Sequence, residues 1–146
     1  MINYYCYLDK KLNNKEEVLK FLAEKAVEND ISSSENDVFE NFLKREEEFS
    51  TGLQEGFAIP HCKIATAKKQ AVIFLKLDKE IEWGTFDEKG VKYIFSIIIP
   101  DSNSPNEHLK IISNIAVNLL EDDFKESLKK LKSEDEFKKM MEVSNG

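Results

Sequence analysis

The chain has 146 residues, 41% hydrophobic and 34% charged, enough for one globular domain with its own core and too few to argue for two. Its 28 acidic and 21 basic residues give a formal charge of −7, spread along the sequence, which speaks against a nucleic-acid surface and suits either plain solubility or a basic protein partner. No apolar run approaches the roughly 20 residues that cross a bilayer, no signal-peptide pattern opens the chain, and Cys6 and Cys62 make no disulfide framework, so a cytoplasmic protein without direct membrane insertion is expected.

In chain order, the aromatic stretch INYYCYL, bounded by the polar DKKLNN, predicts a strand over residues 2–8. Asn14 caps a helix, with Glu17 three residues on and Val18, Leu19, Leu22, Ala23 and Ala26 along one apolar stripe. A second helix, capped by Ser34, is predicted from Glu35 to Glu48; Val38, Phe39, Phe42 and Leu43 repeat at helical spacing, and its end reads KREEE around Arg45. After the loop Ser50–Thr51–Gly52 comes a short apolar strand that runs to Pro60 and His61, where the missing proline N–H is expected to end the ladder. AVIFLKL (71–77) and VKYIFSIII (91–99) predict two further strands, divided by the turn-like WGTFDEKG.

Start signals coincide at the next helix, predicted from Pro105 to about Leu120: Ser104 caps it, Pro105 takes the first position and Glu107 lies three after the cap. Two amphipathic helices close the chain near 122–131 and 134–142, the last with Ser133 and Glu136 as a capping box. An order of strand, two helices, three strands and three helices implies an α/β (α+β) fold in three layers, a mixed sheet flanked by helices on both faces.

The sequence contains only two histidines. His108 falls in the first turn of the Pro105 helix, in line with Ile112, Ile115 and Leu119, which turns it inward. Its ordinary role there would be a hydrogen-bonded core histidine, although the helix start also offers free N–H groups and a positive dipole end to an anion. Arg45, taken alone, is a solvated residue among acids. Yet Arg45, the hydroxyls of Ser50 and Thr51, and His61 converge on one short segment. That set suits an oxyanion, because a guanidinium grips phosphate in a bidentate fork and a neutral imidazole is a nucleophile. GxSxG, P-loop, HExxH and CxxC patterns are all absent, so serine-hydrolase, nucleotide-binding and metal-site readings have no support in the sequence.

The segment Arg45–Glu46–x–x–x–Ser50–Thr51–Gly52–x–x–x–Gly56–x–Ala58–Ile59–Pro60–His61 resembles the signature of the fructose/mannitol-type IIA domains, type-2 EIIA, of the bacterial sugar phosphotransferase system. The likeness continues through IEWGTFD…GV and through Glu107–His108–Leu109 opening a helix, and so covers nearly the whole chain. It implies a single EIIA domain over residues 1–146 with the mannitol-type IIA fold. In that family the histidine after the proline, here His61, accepts a phosphoryl group from the phosphocarrier HPr and hands it to a IIB domain of a membrane IIC complex. The second active-site histidine would be His108 and the phosphate-pairing arginine Arg45, with Ser50 and Thr51 as further phosphate-binding hydroxyls.

The resemblance places the phosphate on Nε2 of His61, with Nδ1–H held by a backbone carbonyl, and requires no metal, nucleotide or other cofactor because the donor is itself a phosphohistidine. It also carries an alternative: a regulatory IIA-like domain, nitrogen-related or attached to a regulator, that signals through the same phosphohistidine. Where family members often have glycine two residues after the STG glycine, this chain has Gln54 followed by Glu55, which predicts a loop less free to wrap a phosphate. Cys62 is given no catalytic role.

Overall fold

A computed structural model describes residues 2–145. In chain order the elements are β1 (Ile2–Lys10), α1 (Lys15–Glu28), α2 (Glu35–Glu48), β2 (Phe57–Ala58), β3 (His61–Ile64), β4 (Gln70–Ile81), β5 (Val91–Pro100), α3 (Pro105–Asn118), α4 (Asp122–Lys129) and α5 (Glu134–Asn145). The helix starts follow the sequence signals: Asn14 Oδ1 accepts the Glu17 N–H at 2.9 Å, and Ser34, Ser104 and Ser133 each accept an N–H three residues on, at 3.2, 3.3 and 3.2 Å.

The two longest apolar runs, β4 and β5, bury both faces and pair antiparallel at the centre of the sheet. β1 adds in parallel to β4, and β2 and β3 add in parallel to β5, giving a mixed sheet of order β1-β4-β5-β2. Alternation along the strands sorts the core in two. Ala71, Ile73, Leu75 and Ile98 meet α1 and α2, whereas Val72, Phe74, Phe95, Ile97 and Ile99 meet α3, α4 and α5. The second side is aromatic, with Phe74 stacked on Phe137 at 5.4 Å and tilted against Phe95 at 5.0 Å. Each such fully buried side chain contributes about 1.5–3 kcal/mol through burial. The mixed sheet between helical layers is therefore the architecture expected from the order of elements.

One strand differs from expectation in a way that matters for the site. Pro60 interrupts the edge strand and does not end it, because Ala58 pairs with Ile94 and His61 pairs with Ile97 in an unbroken register. Proline lacks a donor but keeps its acceptor, and the Pro60 carbonyl accepts the Ile97 N–H at 3.0 Å, so pairing resumes one residue on. Ile59, just before it, turns its N–H away from β5 to the Thr51 carbonyl at 3.0 Å. Among the described residues, no helix is long and apolar enough to cross a membrane.

Candidate functional site

Cross-strand partners share a face, so the pairing of His61 with Ile97 puts its ring on the α3–α5 side of the sheet, at the edge where solvent reaches it. Arg45 approaches from the opposite layer. It lies in the last turn of α2, where its Nη1 donates to the Phe49 carbonyl at 3.1 Å and its Nε donates to His61 Nε2 at 3.3 Å. The other ring nitrogen, Nδ1, lies 2.9 Å from the Ile59 carbonyl. A carbonyl only accepts, so Nδ1 bears the proton; Nε2, as the acceptor from Arg45, bears the lone pair. Both sides of the ring thus select one tautomer.

His108, in the first turn of α3, faces this ring edge-on, with centroids 5.8 Å apart and planes at 73°. It is half-buried, and its Nε2, shielded from water, has no hydrogen-bond partner among the described residues. The two rings, Arg45, Lys44, Lys63 and Glu48 line a shallow cavity of about 260 Å³, a cationic spot on an acidic chain. Burial lowers the His61 pKa and the Arg45 charge lowers it further, against the opposing pull of the Ile59 hydrogen bond and the Glu46 carboxylate. Burial likewise lowers that of His108, with His61 and Lys63 adding to the effect. Both shifts favour the neutral imidazole.

The hydroxyls expected to bind phosphate are engaged elsewhere. Ser50 Oγ accepts the Gly52 N–H at 3.2 Å and donates to the Gly84 carbonyl, while buried Thr51 donates its hydroxyl to the Glu46 carboxylate. Neither lines the cavity. Their work is to hold the loop, and Gly52 shows how tightly: a Cβ there would lie 2.3 Å from the Gly84 carbonyl oxygen. STG and WGT are thus the two sides of one close backbone approach.

Sequence reasoning passed over Glu46, which is buried beneath this loop. A signal was available, because Val38, Phe42 and Glu46 repeat every four residues and put the acid on the buried stripe of α2. At Gln54 the backbone is not left-handed; that conformation falls on Glu55 (φ 56°) and Gly56 (φ 87°). Burial pushes both thiols up, Cys6 to about 12 with help from Glu134, so neither cysteine is a thiolate at neutral pH.

A three-layer domain that presents one unprotonated imidazole nitrogen beside a guanidinium has the equipment of a phosphoryl carrier. Residues 4–143 match the family described as "Phosphoenolpyruvate-dependent sugar phosphotransferase system, EIIA 2", and the chain belongs to that family of phosphoryl carriers. It is 31% identical over 114 residues to the PTS system fructose-specific EIIA component of Haloferax volcanii, covering 78% of this chain and 73% of that protein.

Among solved structures, it is similar to the nitrogen regulatory protein IIA-Ntr of Neisseria meningitidis, at 30% identity and a TM-score of 0.85, covering 93% of this chain and 92% of the other. The IIA component in a complex of enzyme IIA-mannitol with phosphorylated enzyme IIB-mannitol from Escherichia coli shares the fold, at 23% identity and a TM-score of 0.77 over 94% of each chain. Sugar-specific and nitrogen-regulatory proteins thus both stand among its relatives.

Proposed function

We propose that the chain carries phosphate for sugar uptake, accepting it from phospho-HPr on Nε2 of His61 and passing it to a sugar-specific IIB component. The observation that carries this reading is the Nδ1 contact to the Ile59 carbonyl at 2.9 Å, which leaves Nε2 as the nucleophile. In the forward step the Nε2 lone pair forms the new N–P bond while the donor's N–P bond breaks and its electron pair returns to the donor ring. Arg45 turns from Nε2 to the phosphoryl oxygens, and His108, with its free Nε2, approaches the same group from α3. Such transfer is mainly positioning and charge stabilisation, which Lys44 and Lys63 reinforce. Ser50 and Thr51 shape the loop and do not touch the phosphate. Transfer to IIB reverses the step.

Docking of a second protein over the site is supported by the exposed apolar side chains next to it in sequence, Phe49 at 74% and Leu109 at 61% exposure. A IIB acceptor is supported by the E. coli mannitol complex of the same fold. A regulatory reading is favoured by one observation, the likeness to the Neisseria IIA-Ntr protein. Its chemistry at His61 is the same, and the partner separates the two: rapid transfer to a IIB encoded beside this chain supports transport, and failure to transfer to any IIB supports regulation.

The founding test is incubation with phosphoenolpyruvate, enzyme I and HPr, followed by intact-mass analysis and mapping of acid-labile phosphate. One phosphate on His61, absent from His61→Ala, is expected. Labelling of His61→Ala, or an unlabelled parent chain beside fully charged HPr, would overturn the assignment.

A further inference from the structure

We propose that Glu46 is a positioning residue for this transfer, fixing through Thr51 the carbonyl that chooses the reactive nitrogen of His61. The inference rests on the function proposed above and deepens it. The Glu46 side chain is only 3% exposed, and a buried carboxylate is costly unless its oxygens are fully bonded. Here they are: Oε1 accepts the Thr51 N–H at 3.1 Å and the Lys15 ammonium at 3.0 Å, and Oε2 accepts the Thr51 hydroxyl. Lys15 is itself held over the Trp83 ring, 5.0 Å from its centroid. An apolar side chain on this stripe of α2 would leave the Thr51 N–H and hydroxyl unpaired, so the carboxylate is there to hold Thr51, and that hold has a reason of its own.

That reason lies one step further along the chain of bonds. The Thr51 carbonyl accepts the Ile59 N–H at 3.0 Å, and the Ile59 carbonyl accepts Nδ1–H of His61 at 2.9 Å. Ile59 sits between β2 and β3, and its N–H donates to this loop and not to β5. Thr51 therefore anchors the residue that reads the ring, and Glu46 anchors Thr51. The next residue back along α2, Arg45, donates to the other ring nitrogen at 3.3 Å. Two adjacent side chains of one helical turn thereby reference both nitrogens of His61 to α2. Neutral histidine free in water keeps its proton mainly on Nε2, so displacing the Ile59 carbonyl would raise the share of Nε2–H against the remaining Arg45 contact and withdraw the nucleophile from that share.

The test pairs two readouts on the parent, Glu46→Ala, Glu46→Gln, Thr51→Val and the control Glu47→Ala, which removes an equal charge from the exposed face of the same turn. ¹⁵N chemical shifts of His61 in the unphosphorylated protein report the tautomer, and rapid-quench labelling by phospho-HPr reports the rate. Glu46→Ala should populate the Nε2–H tautomer and slow acceptance about tenfold to a hundredfold, the scale of a misplacement near 1 Å. Glu46→Gln, whose amide still accepts the Thr51 N–H, should recover most of both, and Glu47→Ala should match the parent.

Parental tautomer and rate in Glu46→Ala would overturn the proposal, as would slowing that merely follows the unfolded fraction with the tautomer unchanged. Should Glu46→Ala not fold, Thr51→Val decides: a shifted tautomer supports the link and a parental one overturns it. A parent chain unlabelled by charged HPr would overturn the transfer role of Glu46 together with the function it serves. A tautomer that nonetheless moved in Glu46→Ala would then show that the failure lies in the assigned reaction and not in the bonding.

Discussion

Two helix ends meet at His61, and they treat their polar groups in opposite ways. At the end of α2, Arg45 donates to the ring and to the Phe49 carbonyl, and Glu46 is bonded by Thr51 and Lys15. At the start of α3, His108 Nε2 is buried with no hydrogen-bond partner among the described residues. A buried polar atom left unbonded costs about 1–3 kcal/mol, so its persistence calls for a compensating use. The difference separates two tasks. Fixing a tautomer before reaction requires bonds already made, whereas stabilising a group that arrives from another protein requires a group still free to bond. On the proposed relay, α2 sets the nucleophile and α3 waits for the phosphate.

The hardest strike against this division is Arg45→Ala, which removes both the ring contact and the charge proposed to meet the phosphate. Acceptance should slow by about 1.5–3 kcal/mol, roughly tenfold to a hundredfold, in single-turnover labelling by phospho-HPr. Arg45→Lys should recover only part, since an ammonium restores charge without the fork. An unaltered rate in Arg45→Ala would return the arginine to a solvated surface role. His108→Ala should slow acceptance by the lower end of that range. Because its Nε2 has no bond to lose among the described residues, the unfolding free energy should fall by no more than about 1 kcal/mol in denaturant titration. A His61 tautomer altered by His108→Ala would erase the distinction between the two helices.

Acid sharpens the comparison more gently. Both histidines have folded-state pKa values below the ordinary 6.5, chiefly through burial. As the pH drops past 6.5, the unfolded chain binds protons first, so stability falls with acid and levels off once the folded rings are protonated as well. Above 6.5 these groups add no pH dependence. Phosphate acceptance should likewise persist to a lower pH than a free imidazole would allow. Denaturant midpoints across this range should fall less in His61→Ala than in the parent, and a midpoint that rose with acid would contradict neutral rings.

The layers and helix starts were legible in the sequence because they rest on local rules: alternation in β4 and β5, stripes on α1 and α2, and side-chain caps at Asn14, Ser34, Ser104 and Ser133. Arg45 and His61 were already grouped by their shared segment, but His108 joined them only through the family signature, since its approach from α3 to the edge strand depends on tertiary placement. The resumed pairing after Pro60 was not visible, because the proline rule concerns its missing donor and the ladder there uses its carbonyl. The bonds of the Ser50 and Thr51 hydroxyls were hidden for a related reason. Sequence proximity grouped them with Arg45 and His61, while the close approach at Gly52 and buried Glu46 engage them in the loop.

The smallest expected effect lies in that loop. Gln54 stands where family members often have glycine, but its backbone is not left-handed, and its carbonyl accepts the Phe57 N–H at 3.2 Å to close the turn. The left-handed turn is taken by Glu55, whose N–H donates to Asp87 at 3.0 Å and whose carboxylate receives Lys125, and then by Gly56. Gln54→Gly relieves no strain and only enlarges the freedom of the unfolded chain, so it should lower stability by about 0.5–1 kcal/mol and leave the transfer rate alone. Denaturant unfolding and phospho-HPr labelling measure the two effects. Faster acceptance by Gln54→Gly would mean that loop stiffness, and not the anchor on α2, limits how well the site receives phosphate.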